Sequence, residues 1–188
     1  MPDPNKYPLF RLFVPTQGKI MYVAKKLMNE YLYTDDLNRN LPAIEAALSH
    51  YINNPRLNVL YEIGDFEGLL GFVNIVPGFR ASLLFKLWEP ERWGPDLVRQ
   101  SKDFIKEVMD ELHLIRLGTH TADPRIVRMG KMVGFEVEGM KRLNFLFDGY
   151  PYDEFFMSIV RKEEIKDNDS GEKKVEKKTK KKARKKEK

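Results

Sequence analysis

The apolar residues of this chain change period more than once, and that change limits its folds more than any other feature. Over residues 20–32 they fall at Ile20, Val23, Ala24, Leu27, Met28 and Tyr31, one face of an amphipathic helix. Leu41, Ile44, Ala47, Leu48 and Tyr51 repeat the pattern over residues 40–52, and Asn53-Asn54-Pro55 ends it. From Asn58 the helical spacing is lost. NVLYEI (58–63), LLGFVNIV (69–76) and ASLLFKLW (81–88) read as strands, separated by the turn signals GDFEG and Pro77-Gly78. Helical spacing returns over residues 97–112, with Leu97, Phe104, Ile105, Val108, Met109 and Leu112 on one face. A strand (114–121), a helix (124–133) and strands at 135–137, 143–147 and 155–160 follow, with Asp148-Gly149 as a turn. Helices, an antiparallel run of strands, then helix and strand in alternation make an α+β, or mixed α/β, domain: a central, mostly antiparallel sheet flanked by helices. The helix between the strands at Ala81 and Leu114 permits one right-handed parallel crossover.

The charge divides sharply. The chain carries a formal +5, yet KKVEKKTKKKARKKEK (173–188) alone carries +9, leaving −4 on the rest. A like-charged segment without aromatics cannot bury enough surface to order itself, so the expected organisation is a folded domain over 1–164 and a disordered Lys-rich tail over 165–188. Two readings of the tail stay open: non-specific attraction to nucleic acid or an anionic surface, and a solubilising appendage. The chain has no cysteine, which removes disulfides, thiolate nucleophiles and Cys-bearing zinc sites. No run approaches 18 apolar residues, and MPDPNKYPLF lacks the plan of a signal peptide, so the expectation is a soluble, cytoplasmic protein with no membrane insertion. No nucleophile elbow, Walker loop or His-Glu-x-x-His pattern is present, and neither His50 nor His113 has metal-ligand spacing to a carboxylate.

ERWGPDLVRQ (91–100) is the stretch most suggestive of chemistry, because strand, glycine turn and helix start together place backbone N–H groups where they bind anions. Ligands of such sheets bind at the carboxyl ends of strands and at helix N-termini. Pro95 removes one donor, and Asp96 brings a carboxylate to a place that favours negative ligands. Asp96 is also a good N-cap for a helix starting at Leu97.

Over residues 59–162 the chain resembles the GNAT acyltransferases, within them the branch that acetylates ribosomal-protein N-termini and small amines. LFKLWEPERWGPDL resembles the family's fourth strand and pyrophosphate loop. DPRIVRMGKMVGFEVEGMKR resembles the following helix with its Gly-Phe and Glu-Gly. LNFLFDGYPYDEFFMSIVRKE resembles the closing hairpin. The resemblance implies a GNAT-like fold and transfer of an acetyl group from acetyl-CoA to an amine: a protein N-terminus, a lysine or a small amine. It implies cosubstrate contacts from Trp88, Arg92, Trp93, Gly94, Asp96, Leu97, Asp123 and Arg125, with a strand N–H near Trp88 polarising the thioester carbonyl. No metal is implied. Departures accompany it. Glu91 and Asp96 stand at loop positions the family gives to Arg or Gln and to glycine. Asp123 and Ile126 replace its Asn and Ser, and Gly130 stands where many members carry the tyrosine that protonates the thiolate. The candidate bases are His120, in Thr-His-Thr at a strand end, and Glu89, just past the fourth strand. The degenerate loop keeps an alternative open: a GNAT-fold module that no longer turns over, brought to nucleic acid or an acidic partner by its basic tail.

Overall fold

A computed structural model describes residues 2–3, 5–30, 32–89 and 94–161. The described elements, in chain order, are β1 (Phe10–Leu12), α1 (Gln17–Asn29), α2 (Leu41–Asn53), β2 (Val59–Ile63), β3 (Gly68–Val76), β4 (Arg80–Leu87), α3 (Pro95–Glu111), β5 (Arg116–Thr121), α4 (Pro124–Val133), β6 (Glu136–Phe147) and β7 (Tyr150–Val160). Local chemistry sets their ends. The side chains of Thr16 and Asn40 accept the N–H groups of Lys19 and Ala43 and so start α1 and α2. Asp123 caps α4 at Arg125, and Gly134 ends that helix at φ 117, a backbone geometry that glycine adopts without strain.

Seven strands form one sheet in the order β1-β2-β3-β4-β5-β7-β6. Every pairing is antiparallel except β4 with β5, which is parallel and limited to Arg80↔Arg116, Ala81↔Leu117 and Ser82↔Gly118. Alternation along the strands gives the sheet two apolar faces. Leu83, Leu87 and Leu117 pack with Phe104, Ile105 and Met109 of α3 and with Met129 and Val133 of α4. On the opposite face Leu60, Leu69, Val73 and Trp88 pack with Val23, Ala24 and Leu27 of α1 and with Ile44 and Leu48 of α2. The fold class inferred from periodicity is the one observed.

The differences lie at the margins of the sheet. The stretches at 135–137 and 143–147, expected as separate strands, are the two ends of β6. Residues 138–142 (EGMKR) show no alternation because both faces of this edge strand are exposed, and the pairing with β7 is broken by register shifts at Val137/Gly139 and Lys141/Phe145. β1, three residues beside a proline-rich start, exists through its pairing with β2 and carries no pattern of its own. The 165–188 tail and the 1–164 boundary lie outside the described residues.

The link between α1 and α2 forms a strap across one end of the sheet. Asp36 N–H donates to the Leu146 carbonyl (2.8 Å), Leu146 N–H to the Asp35 carboxylate (2.7 Å) and Gly149 N–H to the Asp36 carboxylate (2.9 Å). The Gly149 bond is the main reason the Asp36 carboxyl is held below its usual range. Arg39 pairs with Asp148 and covers the Phe147 ring at 4.5 Å. Leu32, Ala122 and Phe147 form a small core beneath the strap.

Candidate active site

The site begins where the sheet comes apart. The parallel ladder stops at Ser82 and Gly118, while β4 continues to Leu87 paired only with β3. Backbone groups of successive residues point to opposite edges of a strand. Trp88 N–H donates to the Glu67 carbonyl on the β3 side (3.0 Å). The Leu87 groups therefore face the opening, as does the Leu83 carbonyl, which accepts the Thr119 hydroxyl at 2.9 Å. Leu87 N–H donates to the Tyr33 hydroxyl at 2.9 Å, and that hydroxyl donates to the Leu87 carbonyl. Burial pushes the Tyr33 phenol up to about 12, so it stays protonated and serves as donor and acceptor at once. A cavity of about 730 Å³ runs from this point along β4, β5 and β7, lined by Lys86, Thr119, His120, Arg116, Arg80 and Phe156 among others.

His120 lies in this cavity with its side chain 67% exposed. Its Nδ1 is 2.6 Å from Glu154 Oε1, Glu154 Oε2 accepts Asn144 Nδ2 at 2.7 Å, and the imidazole stacks on Phe156. A carboxylate on Nδ1 fixes the ring and leaves Nε2 as the nitrogen free to take a proton. Glu154 is 7% exposed, so the pair is anchored from behind. Glu154 was not legible in the sequence. It is placed by the register His120↔Phe156, which sets residue 154 diagonally beside His120 on the same face.

Lys86 also lies at the opening. Its Nζ donates to the Tyr33 carbonyl at 2.9 Å and lies 4.7 Å from the Tyr33 ring, without a carboxylate partner among the described residues. Burial pulls its ammonium down to about 8, partly opposed by the charge of Asp123. Because the unfolded chain holds this proton up to a pH of ~10.5, the unfolded state binds more protons between pH 8 and 10.5. The contribution of Lys86 to stability therefore improves as pH rises through that window. Lys86→Met removes the buried charge at matched length and is expected to raise stability at pH 7 by about 1 kcal/mol. It should also flatten the rise above pH 8, as read by urea unfolding across pH.

A second depression, of about 710 Å³, lies between the start of α3 and the flank of α4, lined by Arg99, Lys102, Arg125, Arg128, Met129 and Met132 among others. Helix α3 opens at Gly94, which offers no side-chain cap; Pro95 follows and Val98 N–H bonds Gly94. The N–H groups of Asp96 and Leu97 precede the helix's own carbonyl acceptors. The surface of this depression is mostly apolar, and of its four cations Arg99 and Arg125 are already paired with Asp96 and Asp123; the first-turn N–H groups, with Lys102 and Arg128 nearby, suit an anion.

The expected site residues separate accordingly. His120 lies in the cavity, and Gly94 and Arg125 line the cationic depression. Asp96 is not the N-cap: it sits one residue inside the helix, 82% exposed, and pairs with Arg99 at 3.0 Å, because Pro95 starts the helix earlier. Trp88 does not face the opening. Its indole N–H donates to the Phe66 carbonyl at 2.9 Å and its ring belongs to the α1–α2 core, so the inward N–H is that of Leu87. The Leu97 side chain is core, leaving only its N–H for a ligand. Asp123 is fully buried and clamps the Arg125 guanidinium at 2.6 Å. Glu89 pairs with Lys26 at 3.8 Å and does not line the cavity. Arg92 and Trp93 lie outside the described residues. At Gly130 an added Cβ would meet Met157 Cε, the far end of a flexible side chain, at 2.9 Å. Among the described residues no cluster suited to a metal exists, and no helix is long and apolar enough to cross a membrane.

No family model matches the sequence, and a search of curated proteins finds no significant relative. Solved structures do match. A spermidine N-acetyltransferase from Vibrio cholerae, in complex with CoA and spermine, superposes with a TM-score of 0.60 at 17% identity over 81% of this chain and 96% of that one. A ribosomal-protein-S5-alanine acetyltransferase from Vibrio fischeri gives 0.60 at 13% identity, over 82% and 94%. The chain has the GNAT fold. An acetyltransferase from Salmonella typhimurium that modifies the N-terminal serine of 50S ribosomal subunit protein L7/L12 matches at 0.63 and 13% identity, over 83% of this chain and 97% of that one. Each match covers most of the solved chain and of this one.

Proposed function

We propose that this chain is an N-acyltransferase that moves an acetyl group from acetyl-CoA to an amine of a protein or small molecule. The observation that carries the reading is the opening between β4 and β5, which leaves an inward N–H at Leu87 on β4 and the braced imidazole of His120 in the cavity along β5, with a second depression at the start of α3. The proteins that share the fold are acetyltransferases acting on amines, which supports it. Acetyl-CoA supplies the activated acyl group. Arg99, Lys102, Arg125 and Arg128, with the first-turn N–H groups of α3, would hold its phosphates. Leu87 N–H would polarise the thioester carbonyl once the Tyr33 hydroxyl gives way. The amine nitrogen forms the new C–N bond as the C–S bond breaks; His120 Nε2 takes the amine proton, and the thiolate leaves. Gly130 offers no acid to that thiolate, so positioning and proton removal would supply most of the rate. A cytoplasmic setting fits a chain without cysteine, and the Lys-rich tail would add non-specific attraction to nucleic acid or another anionic surface.

Calorimetric titration with acetyl-CoA tests the reading. Binding in the micromolar range is expected; absence of heat at millimolar cosubstrate would leave a non-catalytic GNAT-fold module as the better account. Asp96→Asn keeps the helix start, removes the carboxylate and releases Arg99. It is expected to tighten acetyl-CoA binding by up to about tenfold, with the gain shrinking as salt is raised. Weaker binding in this variant would show that Asp96 shapes the loop.

A further inference from the structure

The charges of the large cavity are unbalanced, and the imbalance bears on which amine can enter. Arg80, Lys86 and Arg116 line it together with His120. Besides buried Asp123, whose charge acts on Lys86, two carboxylates are in reach, and each already has partners. Glu138 accepts Ser158 Oγ on one oxygen and Arg116 on the other, which holds its carboxyl below the usual range. Glu154 accepts Asn144 on one oxygen, and its other lies against His120. Each of their oxygens already accepts one partner, so a further cation would have to share them. Arg80, by contrast, has no carboxylate partner among the described residues; its guanidinium lies 5.7 Å from the Phe79 ring.

Arg80 and Arg116 are register partners in the parallel ladder, so both side chains leave the sheet on the same face. Two like charges side by side are unfavourable unless an anion lies between or over them, and the single carboxylate there is already divided between Arg116 and Ser158. Four residues separate Arg116 from His120 along β5, a distance of about 13 Å. An extended peptide covers that distance in about four residues. At the other end the ammonium of Lys86 lies beside the opening, where it repels a protonated amine and favours the neutral, nucleophilic form.

We propose that the acyl acceptor is the amino end of an acidic peptide, its α-amine at His120 and a carboxylate side chain about four residues along seated on Arg80 and Arg116. The inference rests on the acyltransferase reading for its chemistry, and on the cavity charges for its specificity. A polyamine such as the spermine bound by the Vibrio cholerae structure would meet Arg80 and Lys86, which have no carboxylate partner among the described residues.

The test uses the full chain, acetyl-CoA and three short peptides with a free N-terminal serine, alike except for Glu, Gln or Lys at the fourth and fifth positions. Spermidine is a fourth acceptor. Initial rates are expected to give kcat/KM for the Glu peptide at least about tenfold above the Gln peptide, corresponding to ~1.4 kcal/mol, with the Lys peptide and spermidine poorer still. Arg80→Glu should reverse the order of the Glu and Lys peptides. Calorimetry of the peptides without cosubstrate should show the same ranking. Equal binding of the three peptides, or faster turnover of spermidine, would overturn the proposal while leaving the acyltransferase reading in place. Selective binding of the Glu peptide without turnover would overturn the acyltransferase reading and leave the docking preference standing.

Discussion

His120→Ala is expected to lower kcat for amine acetylation about a hundredfold at neutral pH, within the range for loss of a positioned general base, while acetyl-CoA affinity stays unchanged. The separation follows from position: the imidazole lies on β5 in the large cavity, whereas the cations suited to phosphates lie by α3 and α4. Glu154→Gln should cost less, on the order of tenfold in kcat with KM preserved, because the amide still fills the space but no longer holds Nδ1 as a charged acceptor. A role for Glu154 in folding alone would lower the melting temperature without moving kcat. Equal kcat in His120→Ala and the parent protein would remove His120 from the mechanism.

Phe104→Ala is expected to destabilise the fold by about 3–5 kcal/mol, a large part of the ~5–15 kcal/mol that a domain of this kind has. Phe104 is 1% exposed and is the centre of an aromatic cluster. Phe10 stacks on it at 4.5 Å, Tyr61 and Tyr7 meet it edge-on at 4.9 and 5.3 Å, and Phe72 lies at 6.4 Å. Removing the ring leaves a cavity that four other rings cannot fill together. Because the same residue seats α3 on the sheet, acetyl-CoA affinity should fall with stability. Urea unfolding gives the first quantity and calorimetry the second; a loss below about 1 kcal/mol would mean that the cluster repacks.

Where burial is one-sided the sequence was easy to read. Helix α4 was anticipated residue for residue, since Pro124 and Gly134 bracket it and its apolar stripe meets the sheet. The exposed middle of β6 was missed because a strand wet on both faces carries no alternation. The site divides in the same way. His120 was legible as a proton carrier at a strand end, but its partner Glu154 is 34 residues away and comes beside it only through the β5–β7 register. Asp96 misled for a local reason: two good starts compete at 94–97, and the proline wins because its fixed φ suits the first helical position. Tyr33 gave no signal, since a loop tyrosine becomes a backbone partner only when the strap is laid across β4.

The three-residue ladder between β4 and β5 has a mechanical consequence. The sheet is two antiparallel rafts, β1 to β4 and β5 with β7 and β6, joined edge to edge by a short seam. The β2–β3, β3–β4 and β6–β7 pairings are hairpins, whereas the seam is closed through α3. Beyond the seam no backbone ladder joins the two rafts among the described residues. A guest that carries its own amide groups into the gap would supply the missing rungs, lengthen the seam and stiffen both rafts into a single plate. Amide hydrogen exchange along 83–87 and 119–121 would then slow on loading, far more than exchange in the hairpins on either side.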